Sequence, residues 1–151
     1  MPSRIPKGRS SMIDSQWAGI ESACKSLIAG SATMLRWSWD ARFGAALATF
    51  PAGDATAALA SLEACLPTRW DHLAIGQSPE AVRRLSNDIG GVRSGQLILS
   101  TDATQEILVV GAWWPWGGGQ TLSIRLFPVA SGSTGPQQEE YSTAFRSWFC
   151  P

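Results

Sequence analysis

The chain has little charge and no surplus of either sign. Charged residues fill 16% of its 151 positions, and twelve basic residues cancel twelve acidic ones. Without a positive excess nothing drives counterion release from nucleic acid or attraction to an anionic bilayer, so neither is expected as a partner. Long apolar runs are missing as well: none approaches the roughly 20 residues of a membrane span. The basic residues Arg4, Lys7 and Arg9 lie among Pro2, Pro6 and Gly8 and are followed by no apolar leader. Residues 1–11 therefore read as a disordered tail, residues 12–151 as one domain, and the expected location is cytoplasmic.

Histidine and cysteine are also scarce. His72 is the single histidine, and Cys24, Cys65 and Cys150 are odd in number and far apart. That excludes a CxxC redox pair, a disulfide framework and the close ligand spacings of a zinc site. Cys24 and Cys65 fall on apolar helix faces, where a thiol packs as a small hydrophobe. Asp71 adjoins His72, but neighbours on an extended segment point to opposite faces. An enzyme built on His72 would need carboxylates from elsewhere, and Asp71, Asp88, Asp102 and Glu106 are scattered. The stretch WGGGQT lacks the lysine and the following helix of a phosphate loop. Arg83, Arg84 and Arg93 sit on or after a helix whose C-terminal end repels anions. No cofactor or metal is expected.

What is present is apolar patterning, at 44% of the chain. Ile13, Trp17, Ile20, Cys24, Leu27 and Ile28 follow a helical period, with Gly30 as a stop. Leu35, Trp37 and Trp39 alternate with polar residues as a strand does, Gly44 allows a turn, and Leu47, Thr49 and Phe50 read as a return strand stopped by Pro51, with a helix as the alternative that the alanines allow. A helix follows over 53–67, capped by Asp54 and lined by Ala58, Leu59, Leu62, Cys65 and Leu66. The segment WDHLAIG reads as a short strand or an extended connector. In SPEAVRRLSNDIGG, Ser78 is the expected N-cap, Pro79 the first helical residue and Val82, Leu85 and Ile89 the apolar face. Three strand signals come next, GQLILS, QEILVVGAWW and QTLSIRLFP, joined by short antiparallel connections. A helix carrying Tyr141, Ala144, Phe145 and Trp148 on one stripe closes the chain, with Thr134 or Gly135 before it.

This order, α-β-β-α-α-β-β-β-α, predicts an α+β domain with an antiparallel sheet of about five strands and helices packed on it. In element order the chain resembles the roadblock and longin class of small regulatory modules. They also place a hairpin, a crossing helix and three further strands in one sheet.

The densest feature is GAWWPWGGGQ, residues 111–120. Pro115 cannot donate to a ladder and belongs at a strand end or turn, while Gly117, Gly118 and Gly119 supply the positive φ of a reversal. Trp113 and Trp114 then point to opposite faces. One enters the core; the other, with Trp116, needs cover. The expectation is a non-enzymatic protein-interaction module, an adaptor, an immunity-type inhibitor or a chaperone-like subunit. It would bind a protein partner, or a second copy of itself, through Trp114 and Trp116 with Trp113 beside them. The alternative is a small-ligand domain with the tryptophans as one wall of a pocket.

Overall fold

A computed structural model describes residues 11–132 and 134–151. The tail expected over residues 1–11 falls outside them, apart from Ser11, which opens the first helix. That helix, α1 (Ser11–Gly30), leads into the hairpin β1 (Ser38–Asp40) and β2 (Ala45–Pro51). Helix α2 (Ala55–Cys65), strand β3 (Thr68–Trp70) and helix α3 (Glu80–Asp88) follow, then β4 (Leu97–Ser100), β5 (Ile107–Trp116), β6 (Thr121–Ala130) and α4 (Gly135–Phe149). All six strands pair antiparallel in the spatial order β1-β2-β6-β5-β4-β3.

The α+β class is as expected, with one strand more than the pattern showed. The sixth is β3, and it starts at Thr68, ahead of the WDHLAIG segment. Pro67 ends α2, and only Thr68, Arg69 and Trp70 then pair with β4 before the chain turns. Three residues are too few to display a period.

The two faces of the sheet are covered unequally. On one, α1, α2 and α4 bury Cys24, Leu62, Leu66, Phe145 and Phe149 against Ala48, Phe50, Val109, Ile124 and Leu126. Trp17 of α1 lies 4.8 Å from both Tyr141 and Trp148 of α4, which joins the first and last helices. Two glutamines tie helices to strand ends. Gln16 Oε1 accepts from the backbone N–H groups of Glu106 and Ile107, and Gln138 holds Ala130 N–H and Pro128 C=O. On the other face α3, the one α-helix there among the described residues, packs Val82 and Leu85 over Ile98, Leu108, Val110 and Phe127, with Ile75 and Val92 beside it. Nine residues of helix, roughly 14 Å at 1.5 Å per residue, cannot span six strands. Toward β1 and β2 this face stays open: Ser38, Thr49 and Pro51 are exposed, and Leu47 and Thr121 are half-buried.

Two prolines lie inside long strands, and the ladder's phase explains both. Thr101 N–H donates to Val109 C=O, so the odd residues of β5 face β4. Pro115 is odd, and β4 stops pairing at Trp113. Ala52 N–H donates to Gln120 C=O, so the even residues of β6 face β2. Pro128 is even, and β2 stops pairing at Leu126. Each missing N–H thus points where no strand waits for it. Strand β5 consequently runs through Pro115 to Trp116, and the turn is confined to Gly117–Gln120. The three glycines there take φ of 55°, 71° and 89°.

Two helix starts differ from the sequence reading. Asp54 precedes α2 but its side chain accepts no capping bond, because a 3-10 turn over Ala52–Asp54 has already put its backbone at φ −93°, ψ 0°. Ser78 is not the N-cap of α3. Pro79 stays extended at ψ 154°, so the helix begins one residue later, at Glu80, and Ser78 Oγ donates to Ile75 C=O. In α4, Thr134 does cap: its Oγ1 accepts from Gln137 N–H while the Gln137 side chain accepts from Thr134 N–H.

Candidate functional site

The ten-residue strands β5 and β6 divide the tryptophans by alternation. Trp113 points to the three-helix face, where it is 5% exposed and packs 5.4 Å from Phe50. It is a core residue, so the contact role expected of it is withdrawn. Trp114 and Trp116 point to the sparsely covered face. Trp114 is half-buried beside the α3 layer. Trp116 is 49% exposed, yet its ring is fixed: Nε1–H donates to Ser123 Oγ at 2.7 Å on the facing strand. Ser123 itself is buried.

The rest of the site comes from the β1–β2 turn. Asp40 ends β1, and its Oδ1 accepts from Arg42 N–H at 3.1 Å and, more weakly, from Phe43 N–H at 3.4 Å. Gly44 closes the turn at φ 66°. The other carboxylate oxygen, Oδ2, takes Arg125 Nε–H at 2.9 Å. This hydrogen bond and the guanidinium charge hold the Asp40 carboxyl below the usual carboxylate range. One aspartate therefore fixes both the turn and a side chain of β6. The guanidinium carbons of Arg42 and Arg125 lie 5.1 and 5.2 Å from the centre of the Phe43 ring, within cation–π range.

Together these residues enclose a cleft of about 170 Å³ lined by Arg42, Phe43, Ile89, Ala112, Trp114, Trp116 and Arg125. Its floor is explained by Ala112, the small residue between Val110 and Trp114 on the same face of β5. Its walls are aromatic, its rim is cationic, and no carboxylate lines it. A larger groove of about 580 Å³ lies between α3 and the end of β6, with Phe43 shared. Its lining mixes exposed charged side chains of α3 with the Ser131–Gly132 turn and carries no tryptophan.

No family model, characterised protein or solved structure matches this chain.

The remaining sequence candidates do not converge. His72 is exposed in the turn after β3, and Asp71 Oδ1 is occupied by the backbone N–H groups of Leu73 and Ala74. Arg83 donates to Ser78 C=O, and Arg84 pairs with Glu80. Asp88, Asp102 and Glu106 are exposed on separate parts of the chain. Among the described residues no three His, Cys, Asp or Glu side chains group to hold a metal, and no helix is long and apolar enough to cross a membrane. What the sequence reading missed was Arg42, Phe43, Ala112 and the ion pair that fixes Arg125. The signal for part of it was DARFG, an aspartate opening a turn that a glycine closes.

Proposed function

We propose that this chain is a non-enzymatic protein-interaction module. Its contact surface is the open end of the β5–β6 face, with Trp116 at the centre and Trp114 beside it. The observation that carries this reading is the state of Trp116: half-exposed, large and held by one hydrogen bond. A ring already fixed loses little conformational freedom on binding, which is why tryptophan is enriched at the energetic centres of interfaces. Its N–H is satisfied within the chain, so a partner need supply only apolar surface.

The size of the cleft favours this reading over a pocket for a free small molecule. Such pockets usually run from about 300 to 1,000 Å³, and this one is about 170 Å³.

The test is affinity capture from cell extract with the immobilised chain, alongside Trp116→Ala and Leu73→Ala. Leu73 is the control, an exposed apolar side chain in the turn after β3. Proteins retained by wild type and Leu73→Ala but lost by Trp116→Ala support the reading. A loss of about 2 kcal/mol, or roughly 30-fold in affinity, is expected of a central anchor. Light scattering on the same proteins covers self-association. If wild type and Trp116→Ala retain the same proteins and have the same mass, the contact surface is elsewhere.

A further inference from the structure

The cleft beside Trp116 has a chemistry of its own, and it narrows the kind of partner. It holds two guanidinium groups and no carboxylate. Asp40 engages Arg125 through Nε alone, which leaves the Nη edge of that guanidinium free of the aspartate. Arg42 has no ion-pair partner among the described residues. Both guanidinium groups lie within cation–π range of the Phe43 ring and both line the cleft, and Asp40, paired with Arg125, is the one carboxylate that an ion pair brings to them among the described residues. Such an arrangement favours an added anion, which planar guanidinium groups bind through paired N–H donors. Below the cations lies an apolar cavity with Ala112 as floor and Trp114, Phe43 and Ile89 as walls. At about 170 Å³ it has room for one side chain of a partner.

We propose that the cleft receives one aliphatic or aromatic side chain from an acidic segment of a protein partner, and that Arg42 and Arg125 bind the carboxylate of a residue next to it. This rests on the reading of the β5–β6 face as a protein-contact surface. The anchor supplies burial. The flanking carboxylate supplies selectivity, because a basic segment with the same anchor would bring like charge to Arg42 and Arg125.

Three blocked pentapeptides test it: acetyl-Asp-Glu-Leu-Glu-Asp-amide, its analogue with lysine at the four acidic positions, and its analogue with alanine in place of leucine. Binding is followed through the indole N–H resonances of Trp114 and Trp116, assigned with Trp→Phe variants. The acidic leucine peptide should shift both resonances, and the lysine and alanine analogues should shift neither at the same concentration. Arg42→Gln should weaken binding about tenfold, in line with the loss of a charge-assisted hydrogen bond, and raising the salt should weaken it further. Ala112→Leu should abolish it by filling the floor. If that variant does not fold, Arg42→Gln, an exposed turn substitution, carries the test.

Shifts of equal size from the lysine analogue, or none from the acidic peptide at millimolar concentration, overturn the proposal. Should the peptides fail while Trp116→Ala still loses captured proteins, the contact surface stands and only its chemistry is wrong. Should both fail, the surface reading falls as well.

Discussion

Asp40 joins the fold to the cleft, and its replacement separates two contributions that the wild type combines. Its side chain is 13% exposed and that of Arg125 is 19% exposed, so the pair lies between a surface ion pair and a buried one. Exposed pairs contribute up to about 1 kcal/mol, while breaking a buried pair costs about 3–5 kcal/mol. For this partly covered pair at 2.9 Å we expect about 2 kcal/mol. The turn bond from Arg42 N–H adds about 1 kcal/mol, and the longer one from Phe43 little. Asp40→Ala loses both, about 3 kcal/mol. Asp40→Asn keeps an oxygen for the turn and loses only the charge, about 2 kcal/mol.

With a urea m-value of about 2 kcal/mol/M, the unfolding midpoint falls by about 1.5 M for Ala and about 1 M for Asn. A double-mutant cycle with Arg125→Gln should return a coupling above about 1 kcal/mol. The pH dependence has a definite sign. The folded state holds the Asp40 carboxyl below its ordinary range, so on acidification the unfolded chain takes up the proton first. The pair's stabilisation is therefore complete at neutral pH and is lost as the pH falls below about 4 toward the lowered value. Asp40→Asn should flatten that acid limb. Equal midpoints for Asn and Ala would show that the turn bond contributes nothing. A coupling below about 0.5 kcal/mol would refute the argument from burial.

Two further outcomes test the packing. A Cβ on Gly111 would lie 3.1 Å from Leu126 Cδ2 and 3.3 Å from Ile124 Cδ1. Gly111→Ala should therefore cost about 1 kcal/mol and Gly111→Val about 2–3 kcal/mol in urea unfolding, since overpacking exceeds the entropy gained by replacing glycine. Cys24 is fully buried, and a hydrogen bond with Cys65, together with burial, pushes its thiol pKa up. A thiol reagent should label it only at the rate of global unfolding, and fast labelling of Cys24 in the native chain would contradict that burial.

The elements read well wherever a period had room to repeat. Strand β5 alternates over ten residues, and that alternation alone places Trp113 opposite Trp114 and Trp116. Helix α4 carries its own start signal, Thr134 followed three residues later by Gln137. Reading failed where the deciding neighbour lies far along the chain or where two local signals compete. Ser78 and Asp54 are both good capping residues, but an extended Pro79 and a preceding 3-10 turn took their roles. The cleft was half legible. Its tryptophans stand together in sequence and Arg125 faces Ala112 across the β5–β6 hairpin, but Arg42 and Phe43 are brought to it by the turn that Asp40 ties to Arg125, 85 residues away, which no local pattern encodes. Ala112 was invisible for a simpler reason: a small residue announces a cavity only once its neighbours are known.

The outermost strands, β1 and β3, are three residues long. A long bare edge recruits strands from other molecules and seeds fibrils, and short edges are one way in which proteins avoid this. Where β2 outruns β1, Thr49 is the one outward-facing residue before Pro51, which has no N–H to offer. The sheet is thus closed to sideways growth at both ends. Edges this short leave few unpaired backbone groups for a strand of another molecule to join, so contact with other molecules is directed to the side chains of the open face.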